Sequence, residues 1–125
     1  MNSFIYKDTI IMESQLDFSR FEKGTSFSSE VSLSATISIP RDPEKNRKVI
    51  CTIDLTFGSP SDVINLHVKS RSFFEIDGAI DAETLQKDAQ EKCYPKAGEC
   101  LTEKIAELTR LHIGSPLNIP IPQTF

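Results

Sequence analysis

Three cysteines and two histidines are the side chains of this sequence best suited to hold a metal or attack a substrate. Structural zinc takes four such ligands, ordinarily offered as two close pairs. Cys51, Cys93, Cys100, His67 and His112 do not offer them. Cys93 and Cys100 stand seven residues apart, and there is neither a Cys-x-x-Cys nor a His-x-x-x-His. Nucleophilic catalysis asks for a Cys or Ser with a histidine in reach and a third group to orient it. His67 could approach Cys51 across neighbouring strands, but cysteines in apolar alternation ordinarily behave as small core residues. Gly-x-Ser-x-Gly is absent, and so are Gly-x-Gly-x-x-Gly and a P-loop, so no phosphate cradle is expected either. His112 falls in a last helical turn, where an imidazole interacts favourably with the helix C-terminus. The expectation is a protein without catalytic residues, metal or cofactor: not an enzyme.

Binding chemistry is better represented. There are eight phenylalanines and two tyrosines, with no tryptophan, and many lie on strand-like segments or their edges. Phe18, Phe57 and Phe74 fit a core. Phe21 and Phe27 flank a polar turn, where a core role is harder to place, and exposed apolar groups mark binding surfaces. The polar side of one strand carries Ser and Thr in place of Lys and Glu, which suits a face that meets another chain, although it is also ordinary strand composition.

At 125 residues one domain, spanning 1–125, is the natural count. The net charge of −4 and a pI near 5.2 argue against nucleic acid as a partner. An odd number of unevenly spaced cysteines fits a reducing cytoplasm and no disulfide framework. The N-terminus has no basic start and no long apolar run, so a signal peptide is not expected. Nothing approaches the ~20 apolar residues of a membrane span.

The elements that must position these residues are strands followed by helix. Residues 10–21 put Met12, Leu16 and Phe18 on one face. Val31, Leu33, Ala35, Ile37 and Ile39 alternate with Ser32, Ser34, Thr36 and Ser38, the cleanest period of two in the chain. Val49 to Phe57 forms a third strand and residues 63–77 a fourth, and short links between the strands favour an antiparallel sheet. Asp81 is placed to cap a helix whose inner face begins with Ala82, Leu85 and Ala89. Pro95 predicts a kink or a fresh start. Beyond it Ala97, Leu101, Ile105, Leu108 and His112 fall in one stripe at ~100° per residue. Ala106 and Ile113 lie on the far side, which fits a helix packed on two sides. Gly114 supplies the stop.

Four segments in order carry a family resemblance. Tyr94-Pro95-Lys96-Ala97-Gly98-Glu99-Cys100 resembles the Phe-Pro-x-Ala-x-Glu-Cys helix opening of the SecB protein-export chaperones. Phe74-Glu75-Ile76-Asp77-Gly78 is similar to their Phe-x-Ile-x-Gly strand exit, and Pro116-Leu117-Asn118-Ile119 to their Pro-x-Leu-Asn-Leu segment. Glu30-Val31-Ser32-Leu33 is a weaker match, to a Glu-Val-x-Leu stretch. The resemblance spans roughly residues 10–120. It implies an α+β fold, a four-stranded antiparallel sheet followed by a kinked or broken helix. It also implies a homotetramer, a dimer of dimers with helices packed between two sheets, for which Leu101, Ile105 and Leu108 are the interface candidates. The function implied is an ATP-independent holdase for unfolded or slow-folding polypeptides, held for export in the cytoplasm. Client-binding candidates carried over are Val31 and Leu33, then Leu117, Ile119 and Ile121, with Phe21 and Phe27 beside them.

The departures shape the alternatives. The family's final helix and tail, which help to recruit the translocation motor ATPase, have no counterpart before Phe125. Positions where members carry acidic residues for that ATPase fall on Gln15, Ser19 and His67, which leaves motor coupling without its contact residues. Two further readings stay open: a dedicated chaperone of one partner, such as an antitoxin, and a structural or adaptor oligomer without client binding.

Overall fold

In a computed structural model the described residues are 2–18, 31–58, 64–114, 117, 119 and 121. They form four strands and one helix: β1 (Ser3–Asp17), β2 (Val31–Ser38), β3 (Lys48–Phe57), β4 (Asn65–Asp77) and α1 (Leu85–Ile113). The strands make one antiparallel sheet in the order β1-β4-β3-β2, and α1 packs against all four.

The centre of the sheet follows its sequence closely. On β4, Leu66, Val68, Ser70, Ser72, Phe74 and Ile76 are buried and the residues between them are not. On β3, Val49, Cys51, Ile53, Leu55 and Phe57 are buried in the same alternation. Side chains two apart share a face of a strand, so these two rows meet as one apolar layer beneath the helix. Residues of α1 complete it, among them Leu85, Ala89, Cys93, Ala97, Leu101 and Ile105.

Strand β1 is longer than its sequence signals. It begins at Ser3, and its pairing with β4 steps by one residue at Lys7 and again at Met12. Each step is a bulge that reverses which residues face inward. Phe4 and Tyr6 pair opposite Ile76 and Phe74, Thr9 and Ile11 opposite Ser72 and Ser70, and Leu16 opposite Leu66. Met12 therefore does not share the face of Leu16 and Phe18, as strict alternation would have it, and it is exposed. A file of hydroxyls crosses this seam: Tyr6 Oη lies 2.7 Å from Thr9 Oγ1, which lies 2.8 Å from Ser72 Oγ. Tyr6 also packs edge-on against Phe74, with ring centroids 5.6 Å apart.

Two helix expectations change. Asp81 does not cap α1; its carboxylate accepts the Glu83 amide at 3.2 Å in the preceding turn, and Ala82 lies in that turn, exposed. The helix starts after Thr84 and is secured from outside. Buried Asn2 donates its backbone N–H to Asp88 Oδ2 at 3.0 Å and its side-chain amide to the same oxygen at 2.9 Å, while Thr84 Oγ1 donates at 3.0 Å. Lys92 Nζ closes the clamp on the Asn2 carbonyl. The expectation at Pro95 resolves to one continuous helix with the proline inside it. The ring removes one donor and crowds the carbonyl of Glu91, a residue on the exposed side where water can take that carbonyl. Buried Cys93, Tyr94 and Ala97 hold both sides of it in register. Gly114 ends the helix as expected, in the left-handed region at φ 77° with its N–H on the Arg110 carbonyl.

Candidate functional site

The helix does not cover the sheet evenly. Strand β2 lies at one edge and pairs only with β3 among the described residues, so its outer row of backbone groups has no partner there. Its Val31, Leu33, Ala35 and Ile37 stand opposite Phe57, Leu55, Ile53 and Cys51. The β3 residues are sealed, whereas Leu33, Ala35 and Ile37 are half-buried and Val31 is 37% exposed. Ile39, just beyond the strand, is also half-buried against the core. The result is an open apolar row beside a strand edge unpaired among the described residues, with serines and threonines on the strand's other side.

A second apolar strip comes from the segment after the helix. Leu117 donates its N–H to Thr109 Oγ1 at 2.7 Å, and that hydroxyl bonds back to the Ile105 carbonyl at 3.0 Å. Farther along, Ile121 sits against Gly98: a Cβ there would lie 3.2 Å from Ile121 Cγ2. The segment thus runs back along α1 from its last turn towards its middle. Beside it Pro95, Lys96, Thr102, Ile119 and Ile121 help to line a cleft of about 520 Å³.

These placements sort the client-binding candidates. Val31 and Leu33 are on the open row. Leu117 and Ile121 are partly buried and pack on the same core cluster from the helix side, and Ile119 is sealed within it at 1% exposure. Phe21 and Phe27 lie outside the described residues. Of the interface candidates, Leu101 and Ile105 are fully buried in this chain's own core, and Leu108 is half-buried. Ile37 and Ile39 continue the same alternation and join Val31 and Leu33 on this row. Gly98 lies in the helix interior, where a glycine is costly, and that placement is the sequence signal of the close approach of Ile121.

Catalytic chemistry finds no support at the thiols. Burial pushes the Cys51 thiol up to about 11 and Cys93 to about 12, so both are protonated at neutral pH. Among the described residues no group of three or more His, Cys, Asp or Glu is placed to hold a metal. His67 does not face Cys51: it points to the opposite side of the sheet, with Nε2 2.6 Å from Asp54 Oδ1. There it pairs in register with Gln15. Two of the three positions aligned with the motor-contact residues are therefore neighbours on the outer face, and the carboxylate near them, Asp54, is engaged by His67. Ser19 lies outside the described residues. No helix among the described residues is long and apolar enough to cross a membrane.

This architecture has counterparts among solved structures. A SecB-like chaperone from Mycobacterium tuberculosis, solved in complex with a peptide from an antitoxin, matches with a TM-score of 0.72. The match covers 95% of this chain and 90% of that one at 17% identity. The fold is SecB-like. A protein of unknown function from Streptococcus agalactiae matches at TM-score 0.56 and 14% identity, over 97% of this chain and 99% of that one. No family model and no curated protein matches the sequence.

Proposed function

We propose that this chain is an ATP-independent holdase that binds unfolded or slow-folding polypeptides along β2. The observation that carries this reading is the half-covered apolar row of Val31, Leu33, Ala35 and Ile37 beside a strand edge that is unpaired among the described residues. An extended client segment added there gains main-chain hydrogen bonds from the edge and side-chain burial from alternate residues. Burial contributes roughly 25 cal/mol per Å² of apolar surface, and ordering costs keep such binding reversible and tolerant of sequence. The protein would work in the cytoplasm as a homo-oligomer, a tetramer by analogy of fold. Since Leu101 and Ile105 are spent on the chain's own core, its contacts would use the helix surface left open, including Leu108 and the 84% exposed Leu111.

A second reading has its own support. The antitoxin peptide on the Mycobacterium neighbour, together with non-acidic Gln15 and His67 on the outer face, favours a dedicated chaperone of one partner over a general export factor.

Light scattering of a chemically unfolded, aggregation-prone protein diluted with and without this chain, in the absence of ATP, tests both. Suppression near stoichiometric ratio for several unrelated proteins is the holdase result, and suppression for one alone is the dedicated result. Replacing Val31 and Leu33 together by Asp should abolish suppression while sedimentation and circular dichroism stay unchanged. Retained suppression in that variant would remove β2 as the site.

A further inference from the structure

Away from β2, four cationic side chains converge on one cleft in a chain whose net charge is −4. Lys7, Lys45, Arg47 and Lys48 line about 460 Å³ together with Phe73 and Glu75, at the end of the sheet where β1, β3 and β4 meet on the outer face. We infer that this cleft binds the carboxylates of an acidic peptide segment, with an apolar neighbour of those carboxylates resting on Phe73. The inference extends the proposed function, since it rests on the reading that the chain binds polypeptide, and it assigns a second contact point that selects among them.

Three features favour a site over a chance accumulation of charge. First, two of the cations are uncommitted. Glu75 engages Lys7 at 3.3 Å and Glu44 lies 3.9 Å from Arg47, but the ammonium groups of Lys45 and Lys48 have no ion pair among the described residues. Second, the frame is fixed before any ligand arrives. Asp42 accepts the backbone N–H groups of Lys45 at 3.1 Å and Asn46 at 2.9 Å, and the Asn46 side chain accepts that of Lys48 at 3.0 Å. Arg47 Nη1 reaches the Gly78 carbonyl at 2.7 Å, which ties the loop to the end of β4. A loop backbone fixed in advance does not have to be ordered on binding. Third, Phe73 gives the cleft a half-buried aromatic wall, flanked on β3 by half-buried Ile50. A wall of that kind suits a side chain beside the carboxylate.

Peptide is favoured over nucleic acid by the same arithmetic of charge. A phosphate polymer long enough to bind would extend past these four cations over a chain of net charge −4, which repels it. A short segment places its charges only where the cations are, and ammonium–carboxylate contacts in a preset cleft are stronger than neutral hydrogen bonds.

The test uses fluorescence anisotropy with a labelled peptide of about twelve residues, in which Asp and Glu flank a Leu-Phe pair, and its twin with Asn and Gln in their place. The acidic peptide is expected to bind about tenfold tighter than the twin, and raising salt from about 50 to about 300 mM should erase most of the difference. The Lys45→Gln/Lys48→Gln double variant should bring the two peptides within about twofold of each other while binding the twin as the unmodified chain does. Equal binding of both peptides overturns the inference, as does a preference that survives in the variant, or full displacement by inorganic phosphate or a short single-stranded oligonucleotide. Suppression of aggregation run on the same samples separates the two levels. Suppression with no charge preference sinks the cleft alone; no suppression and no binding of either peptide sink the holdase reading with it.

Discussion

Strands β2 and β3 are register partners one strand spacing apart, and their inward-facing rows are buried to very different degrees. Ile53 is fully buried while Ala35 opposite it is only half covered, and the same holds for Leu55 and Leu33. Both strands show the same period of two, so alternation alone does not distinguish a sealed row from an open one. What separates them is place in the sheet: β3 has a strand on each side, and β2 has one on one side only among the described residues. The lesson is that one layer of this protein does two jobs: its centre is core, and its β2 flank is surface of core-like composition.

Point substitutions test that difference directly. The largest effect is expected from Ile53→Ala, which should cost about 2–5 kcal/mol in chemical denaturation, because the sealed row cannot collapse around the cavity. Leu33→Ala, beside it in the sheet, should cost less than about 1.5 kcal/mol, since water already reaches that position. Equal costs would mean that the flank is as closed as the centre.

A smaller effect of opposite sign is expected within the sealed row itself. Ser70 Oγ is buried on the inner face of β4 and has no hydrogen-bond partner among the described residues. Ser70→Ala should therefore raise stability by about 1 kcal/mol, because an unmet buried hydroxyl is removed at almost constant volume. A loss would show that the hydroxyl finds a partner in solution.

The smallest effect concerns the clamp at the helix start. Hydrogen bonds from Asn2, first from its backbone and then from its side chain, hold the Asp88 carboxyl below its ordinary value of 3.8. Its contribution is present in full above that value and is lost as pH falls through the lowered value in the folded state. Thermal unfolding followed from about pH 6 to about pH 3 should show Tm falling less steeply in Asp88→Asn than in the unmodified chain, with the two converging at the acid end. Parallel curves would place the clamp outside the stability of the fold.

Much of this arrangement is legible in the amino-acid order, for local reasons. β2, β3 and β4 are regular, so period two locates them and names their inner residues. β1 hides its first half because the bulges at Lys7 and Met12 shift its phase, and a bulge is a property of two paired strands. The continuity of α1 through Pro95 depends on which side of the helix faces water, which the proline does not state. Leu101 and Ile105 form an apolar stripe whichever surface they meet, so the stripe gives no choice between partner and sheet. The basic cleft is assembled from three separated stretches whose meeting is set by register, and no single stretch announces it.

The segment pinned by Thr109 and Gly98 is a tethered ligand of its own helix. A tether of only a few residues holds such a segment at an effective concentration of about millimolar. A free polypeptide at about micromolar concentration competes for that helix face at a disadvantage of roughly a thousandfold unless it binds correspondingly tighter. That helix face is therefore occupied by the chain itself, and an outside segment reaches it only by displacing Leu117, Ile119 and Ile121.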